Sequence, residues 1–137
     1  MKALKQIRLP NYDYKSDGYY FVTVVANYGL AHFKGRETEV EKELKDLQNK
    51  TPGLDLDYFV IMPNHVHIIF ILHNCRISLG EIVRRFKAKT SHHFGSGIWQ
   101  PNYYEHVIRT EKALEKIREY IINNPLELLL KFDQFYK

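Results

Sequence analysis

Several absences narrow the class of this 137-residue chain before any motif is read. It has one cysteine, Cys75, which excludes a disulfide framework and a cysteine-rich zinc site. No apolar run approaches the roughly 20 residues that a membrane-spanning helix needs; the longest covers residues 66–72. Residues 1–10 are basic and only intermittently apolar, and carry no signal-peptide pattern. There is no low-complexity linker, no internal repeat and no large excess of one charge. The expectation is a single soluble domain spanning 1–137, cytoplasmic and with no membrane partner. Its net charge of +4 mildly favours an anionic partner such as nucleic acid. The 45% hydrophobic content excludes disorder.

What is present reads as alternating strands and helices. Residues 1–18 are left as an N-terminal arm. Residues 19–25 are β-branched and aromatic, a strand; an extended piece is expected at 30–33. Residues 37–49 place Val40, Leu44 and Leu47 at helical spacing, and 51–53 (Thr-Pro-Gly) end that helix. Residues 55–62 and His65–Leu72 form an antiparallel pair across Pro63-Asn64. Ser78 and Glu81 make a capping box for a helix over 79–92, with His92 and His93 at its end or in the following loop. A fourth strand covers 103–109. Thr110 then caps a helix over 111–124, which Pro125 interrupts before a last helix within 125–137. This is an α+β, ferredoxin-like βαββαβ pattern: an antiparallel sheet with helices on one face, plus an extra C-terminal helix that carries a tyrosine, Tyr120.

The stretch with chemistry is 62–70, Met-Pro-Asn-His-Val-His-Ile-Ile-Phe. A strand turns its side chains with a period of two, so His65 and His67 project to one face about 7 Å apart. Two neutral imidazoles aimed together are half of a divalent-metal site. The strand is apolar on both faces, which places it centrally in its sheet and makes unsatisfied histidines costly there. A nucleotide-hydrolysing histidine triad would need a third alternating histidine, and position 69 is Ile69. On the later helix, Tyr120 and Asn124 lie one turn apart, at the edge of the stripe formed by Leu114, Ile117 and Ile121.

Taken together, His65-Val66-His67 after Met62-Pro63-Asn64, then Trp99-Gln100, Tyr104-Glu105-His106-Val107-Ile108-Arg109, and Tyr120 through Pro125 resemble the single-tyrosine HUH transposases of the IS200-like superfamily. The nearest branch in appearance is the REP-associated tyrosine transposases. The resemblance implies a metal-dependent endonuclease and strand transferase acting on single-stranded DNA with hairpins, as a monomer or homodimer. It implies Mg²⁺ or Mn²⁺ held by His65, His67 and Asn124, with Tyr120 as the nucleophile that forms a 5′-phosphotyrosine. The run 126–130, Leu-Glu-Leu-Leu-Leu, departs from the family's usual continuation.

Arg84, Arg85, Lys87 and Lys89 on the second helix, with His106 and Arg109 near the fourth strand, are candidate DNA contacts. As strand residues three apart, His106 and Arg109 would face opposite sides. Trp99, Tyr103 and Tyr104 suit either packing or base stacking. Two rival functions share the same fold. A non-catalytic binder of DNA hairpins would not need the histidines or Tyr120, and a water-using phosphoesterase would survive Tyr120→Phe.

Overall fold

The computed structural model describes residues 17–123. The expected arm over residues 1–16, Asn124 and the expected last helix within 125–137 lie outside the described residues. The chain runs β1 (Gly18–Val25), a short 3-10 turn (Asn27–Gly29), α1 (Glu37–Lys50), β2 (Leu54–Met62), β3 (His65–Leu72), α2 (Leu79–Phe94), β4 (Tyr104–Ile108) and α3 (Glu111–Asn123). The four strands form one antiparallel sheet in the order β2-β3-β1-β4. That is the expected ferredoxin-like arrangement, with the two most apolar strands in the centre.

Alternation along the central strands divides the molecule into two layers. Tyr20, Val22 and Val24 of β1, with Val66, Ile68, Phe70 and Leu72 of β3, face the larger core. The apolar stripes of α1 (Val40, Leu44, Leu47) and α2 (Leu79, Ile82, Val83, Phe86) cover that face. The opposite face presents Phe21 and Ile69, joined by Ile108, and α3 packs Leu114, Ile117 and Ile121 against them. The two helices of the βαββαβ unit therefore share one face as expected, and the extra helix occupies the other.

Local signals fix the ends of the elements. The Ser78 hydroxyl accepts a hydrogen bond from the Glu81 amide, capping α2. Thr110 Oγ1 accepts from the Ala113 amide and opens α3. Between α1 and β2, Gly53 sits at φ +88, where an added Cβ would meet the His73 carbonyl oxygen at 2.5 Å. Only glycine fits that close approach.

Three expectations need correction. No extended piece occurs at residues 30–33, where the chain turns instead. His92 and His93 lie inside α2, because the helix continues to Phe94. Phe94 packs on Phe33 and beneath the Arg36 guanidinium, so tertiary contact extends the helix by a further half turn. β4 ends at Ile108, so Arg109 follows the strand and the parity argument pairing it with His106 does not apply. The second strand, as expected over 55–62, also contains a bulge between Leu56 and Phe59. Leu56, Phe59 and Ile61 all reach the larger core, which strict alternation forbids without one extra residue.

Candidate functional site

His65 and His67 lie on the face that α3 covers. Strand register sets their surroundings: His65 is opposite Val25 on one side and Met62 on the other, and His67 lies between Thr23 and Val60. The two rings are 4.7 Å apart between centroids, and both residues are fully buried. The expected pair is therefore real in space.

Each ring is oriented by a neighbour. His65 Nδ1 is 2.7 Å from Asn64 Oδ1. The Asn64 amide nitrogen points the other way, toward the Gly29 carbonyl at 3.5 Å, which identifies Oδ1 as the acceptor facing His65. His65 therefore carries its proton on Nδ1 and its lone pair on Nε2. Among the described residues that Nε2 is buried without a hydrogen-bond partner. Burial also pushes the His65 pKa down to about 4, so the ring is neutral at physiological pH. A buried, neutral imidazole with an unspent lone pair, fixed by a neighbouring amide, is the arrangement a metal ligand requires. His67 Nδ1 is 2.6 Å from the Thr23 hydroxyl, and its ring packs 5.6 Å from Phe21.

Tyr120 lies on α3, half-buried, and packs against the smaller core alongside Val60. Val60 is the residue opposite His67, so the tyrosine and the histidine pair border the same patch of sheet. Asn124 lies outside the described residues. Among the described residues no group of three His, Cys, Asp or Glu side chains could hold a metal, so a complete shell needs ligands beyond the two histidines.

The placement of α3 depends on a contact that sequence reasoning missed. Arg118 on α3 binds Asp57 through two parallel hydrogen bonds of 2.7 Å, and its guanidinium lies over the Tyr58 ring. Asp57 and Tyr58 are the two residues of the β2 bulge. Asp57, at the bulge, meets Arg118 and clamps the helix that carries Tyr120 to β2. The signal was present as a broken alternation: Leu54 and Leu56, then Phe59 and Ile61. Thr23 and Asn64 were also missed as partners of the histidines; Thr23 stands out as a hydroxyl side chain among Val22, Val24 and Val25.

The expected DNA contacts separate into two groups. His106 is opposite Phe21 and so belongs to the histidine face, while Arg109 is exposed between β4 and α3. Arg84, Arg85, Lys87 and Lys89 lie on α2, across the sheet from the histidines, and each is engaged within the chain. Arg84 and Arg85 both bind Glu81. Lys89 binds Asp46 of α1. Lys87 donates to the carbonyls of Gln100 and Asn102, and burial lowers its pKa to about 8. Trp99 and Tyr103 are buried in the larger core, where Trp99 stacks on Phe33 and donates to Thr90 Oγ1. Tyr104 is buried beside Thr23 on the histidine face.

Comparison with known proteins places this geometry in context. The family profile described as transposase IS200 like matches residues 14–124, a span that includes both histidines, Tyr120 and Asn124. An uncharacterized protein of Haemophilus influenzae is 37% identical over 96% of this chain and 92% of its own length. A REP-associated tyrosine transposase of Escherichia coli K12 is 31% identical over 53% of this chain and 45% of its own length. The solved structure of a REP-associated tyrosine transposase bound to a REP hairpin superposes with a TM-score of 0.75. It covers 88% of this chain and 74% of that one, and its 24% identity establishes likeness of fold.

Proposed function

The chain belongs to the IS200-like transposase family, and from that premise we propose that it cuts and rejoins single-stranded DNA through a covalent tyrosine intermediate. The observation that carries this reading is the buried lone pair of His65, without a partner among the described residues, beside His67 on the sheet face against which the Tyr120 helix packs. A non-catalytic hairpin binder has no use for that costly arrangement.

His65 through Nε2, together with His67 and Asn124, would hold a Mg²⁺ or Mn²⁺ ion. Bound there, the ion would polarise the scissile phosphate and offset charge developing on its oxygens. The Tyr120 phenolic oxygen attacks phosphorus and gives its proton to solvent. The bond from phosphorus to the 3′ oxygen breaks, leaving a 5′-phosphotyrosine and a free 3′-hydroxyl. The phosphotyrosine conserves the phosphodiester energy, so rejoining consumes no external nucleotide. Both imidazoles are fully buried in this conformation, so a phosphate reaches them only after the groups above them move.

The substrate would be single-stranded DNA carrying a hairpin; the structural relative is bound to a REP hairpin. His106 and Arg109, nearest the histidine face, are the better placed of the candidate DNA contacts.

The test is cleavage of a labelled pool of hairpin-bearing single strands with Mn²⁺ or Mg²⁺, resolved on a denaturing protein gel. Label held covalently by the wild type and absent from Tyr120→Phe is the expected result. Cleavage that persists in Tyr120→Phe without an adduct would replace this reading with a water-using phosphoesterase.

A further inference from the structure

The turn that leaves β1 contains a residue whose placement packing does not explain. Tyr28 has a left-handed backbone, φ 59 and ψ 17, a region that glycine and asparagine occupy far more readily than an aromatic residue. Its side chain is 86% exposed, and among the described residues it makes no ring contact or hydrogen bond. The neighbouring Leu30 is also exposed. A tyrosine that neither packs nor bonds, held in a costly conformation, is an outlier of the kind found at binding sites.

The surrounding backbone keeps it there. The Gly29 amide bonds to the Ala26 carbonyl and the Leu30 amide to the Asn27 carbonyl. Asn27 is anchored twice to the neighbouring loop, through its amide to Ile98 and its side chain to Gly97. The turn therefore presents the Tyr28 ring outward from a fixed base.

Its position ties it to the histidine pair. Val25, three residues earlier, is the strand partner of His65. Three residues span at most about 11 Å, so Tyr28 lies within a few nucleotides' reach of that site. The Ala26 amide bonds to the Asn64 carbonyl, and the Asn64 side chain bridges the two features: its Nδ2 faces the Gly29 carbonyl and its Oδ1 holds His65 Nδ1. One residue thus links the turn to the ring that would carry the metal.

We propose that Tyr28 is a stacking platform for an unpaired nucleobase of the DNA strand that enters the His65–His67 site. An aromatic face accepts any base, so the contact positions the strand without selecting its sequence. The inference rests on the proposed single-stranded DNA substrate.

The test uses the full chain in EDTA, where no cleavage occurs, and fluorescence anisotropy with two probes. One is a random-sequence single-stranded oligonucleotide; the other is an abasic strand of equal length. The wild type is expected to prefer the base-bearing strand by about tenfold or more. Tyr28→Ala and Tyr28→Gly should lose that preference, while Tyr28→Phe and Tyr28→Trp keep it. Tyr28→Gly should also melt at or above the wild-type temperature, because it relieves the left-handed strain. Retention of the preference by Tyr28→Ala, or its loss in Tyr28→Phe, overturns the platform. A wild type that binds both strands equally also overturns it and leaves the transposase reading intact. A wild type that binds neither strand overturns both.

Discussion

The two faces of the sheet are built from the same strands and serve opposite ends. On the α1/α2 face, β1 and β3 contribute only apolar side chains and tyrosine to a large continuous core. On the α3 face, the alternate positions of those strands bring Thr23, His65 and His67 alongside Phe21 and Ile69, under a smaller apolar cluster. One face holds the fold together. The other carries buried polar groups, among them a His65 Nε2 with no hydrogen-bond partner among the described residues. A central strand can afford this because the first face already fixes its position and register.

The division is broken most severely by exchanging the two kinds of damage. Phe86→Ala removes a fully buried ring from the large core and is expected to cost about 3–5 kcal/mol of stability, read by denaturant unfolding. Tyr120→Phe, on the other face, deletes one hydroxyl from a half-buried ring and should cost far less stability. Its effect should appear as a loss of about ten-thousandfold or more in covalent adduct, the scale for removing a nucleophile. If Tyr120→Phe unfolded the chain, or Phe86→Ala left stability intact, the two faces would not be divided as described.

Replacing the buried histidine sharpens the same contrast. His65→Leu removes the buried Nε2, which has no partner among the described residues, but also the Nδ1 hydrogen bond to Asn64, so stability should stay within about 1 kcal/mol of wild type. Binding of Mn²⁺, followed by calorimetry, should disappear in the same variant. A destabilised variant that still bound Mn²⁺ would mean that His65 serves the core and not a ligand.

The clamp between the bulge and α3 lies between these extremes. Asp57→Ala breaks both hydrogen bonds to Arg118 in a partly shielded pair, a loss of about 1 kcal/mol. Because the pair fixes the helix bearing Tyr120, adduct formation should fall further than the stability change alone accounts for. Comparing adduct yield with the unfolding midpoint measures this directly; a proportionate fall would make the pair purely structural.

These contrasts also show how far the sequence could be read. Strands, helices, strand order and the histidine pair follow from periodicity, because alternation along β1 and β3 and the 3.6-residue stripes of α1 to α3 survive tertiary packing. The bulge was legible only as a fault in that alternation, between Leu56 and Phe59. The end of α2 was misjudged because Phe94 gains its helical place from Phe33 and Arg36, residues distant in the chain. The orientation of His65 depends on the adjacent Asn64 amide, whose direction is settled by Gly29 across a separate turn. What escaped the sequence was contact between elements.

The cations of α2 give the smallest and last contrast, since they lie on the stabilising face and were expected to meet DNA. Glu81 holds Arg84 and Arg85 together, and their hydrogen bonds lower its pKa from 4.5 to about 2. A carboxylate whose folded pKa is depressed lends stability that is fully present above its unfolded pKa and is lost as pH falls through the folded value. Wild type should therefore lose a small increment between about pH 4.5 and pH 2, and Glu81→Gln should lack that increment. The cluster is exposed, so added salt should shrink the difference. In DNA binding, the double change Arg84→Gln and Arg85→Gln should leave the salt dependence nearly unchanged, whereas Arg109→Gln should reduce its slope by about one. A reduced slope in the α2 variant instead would show that the stabilising face also binds DNA, and the separation of the two faces would no longer hold.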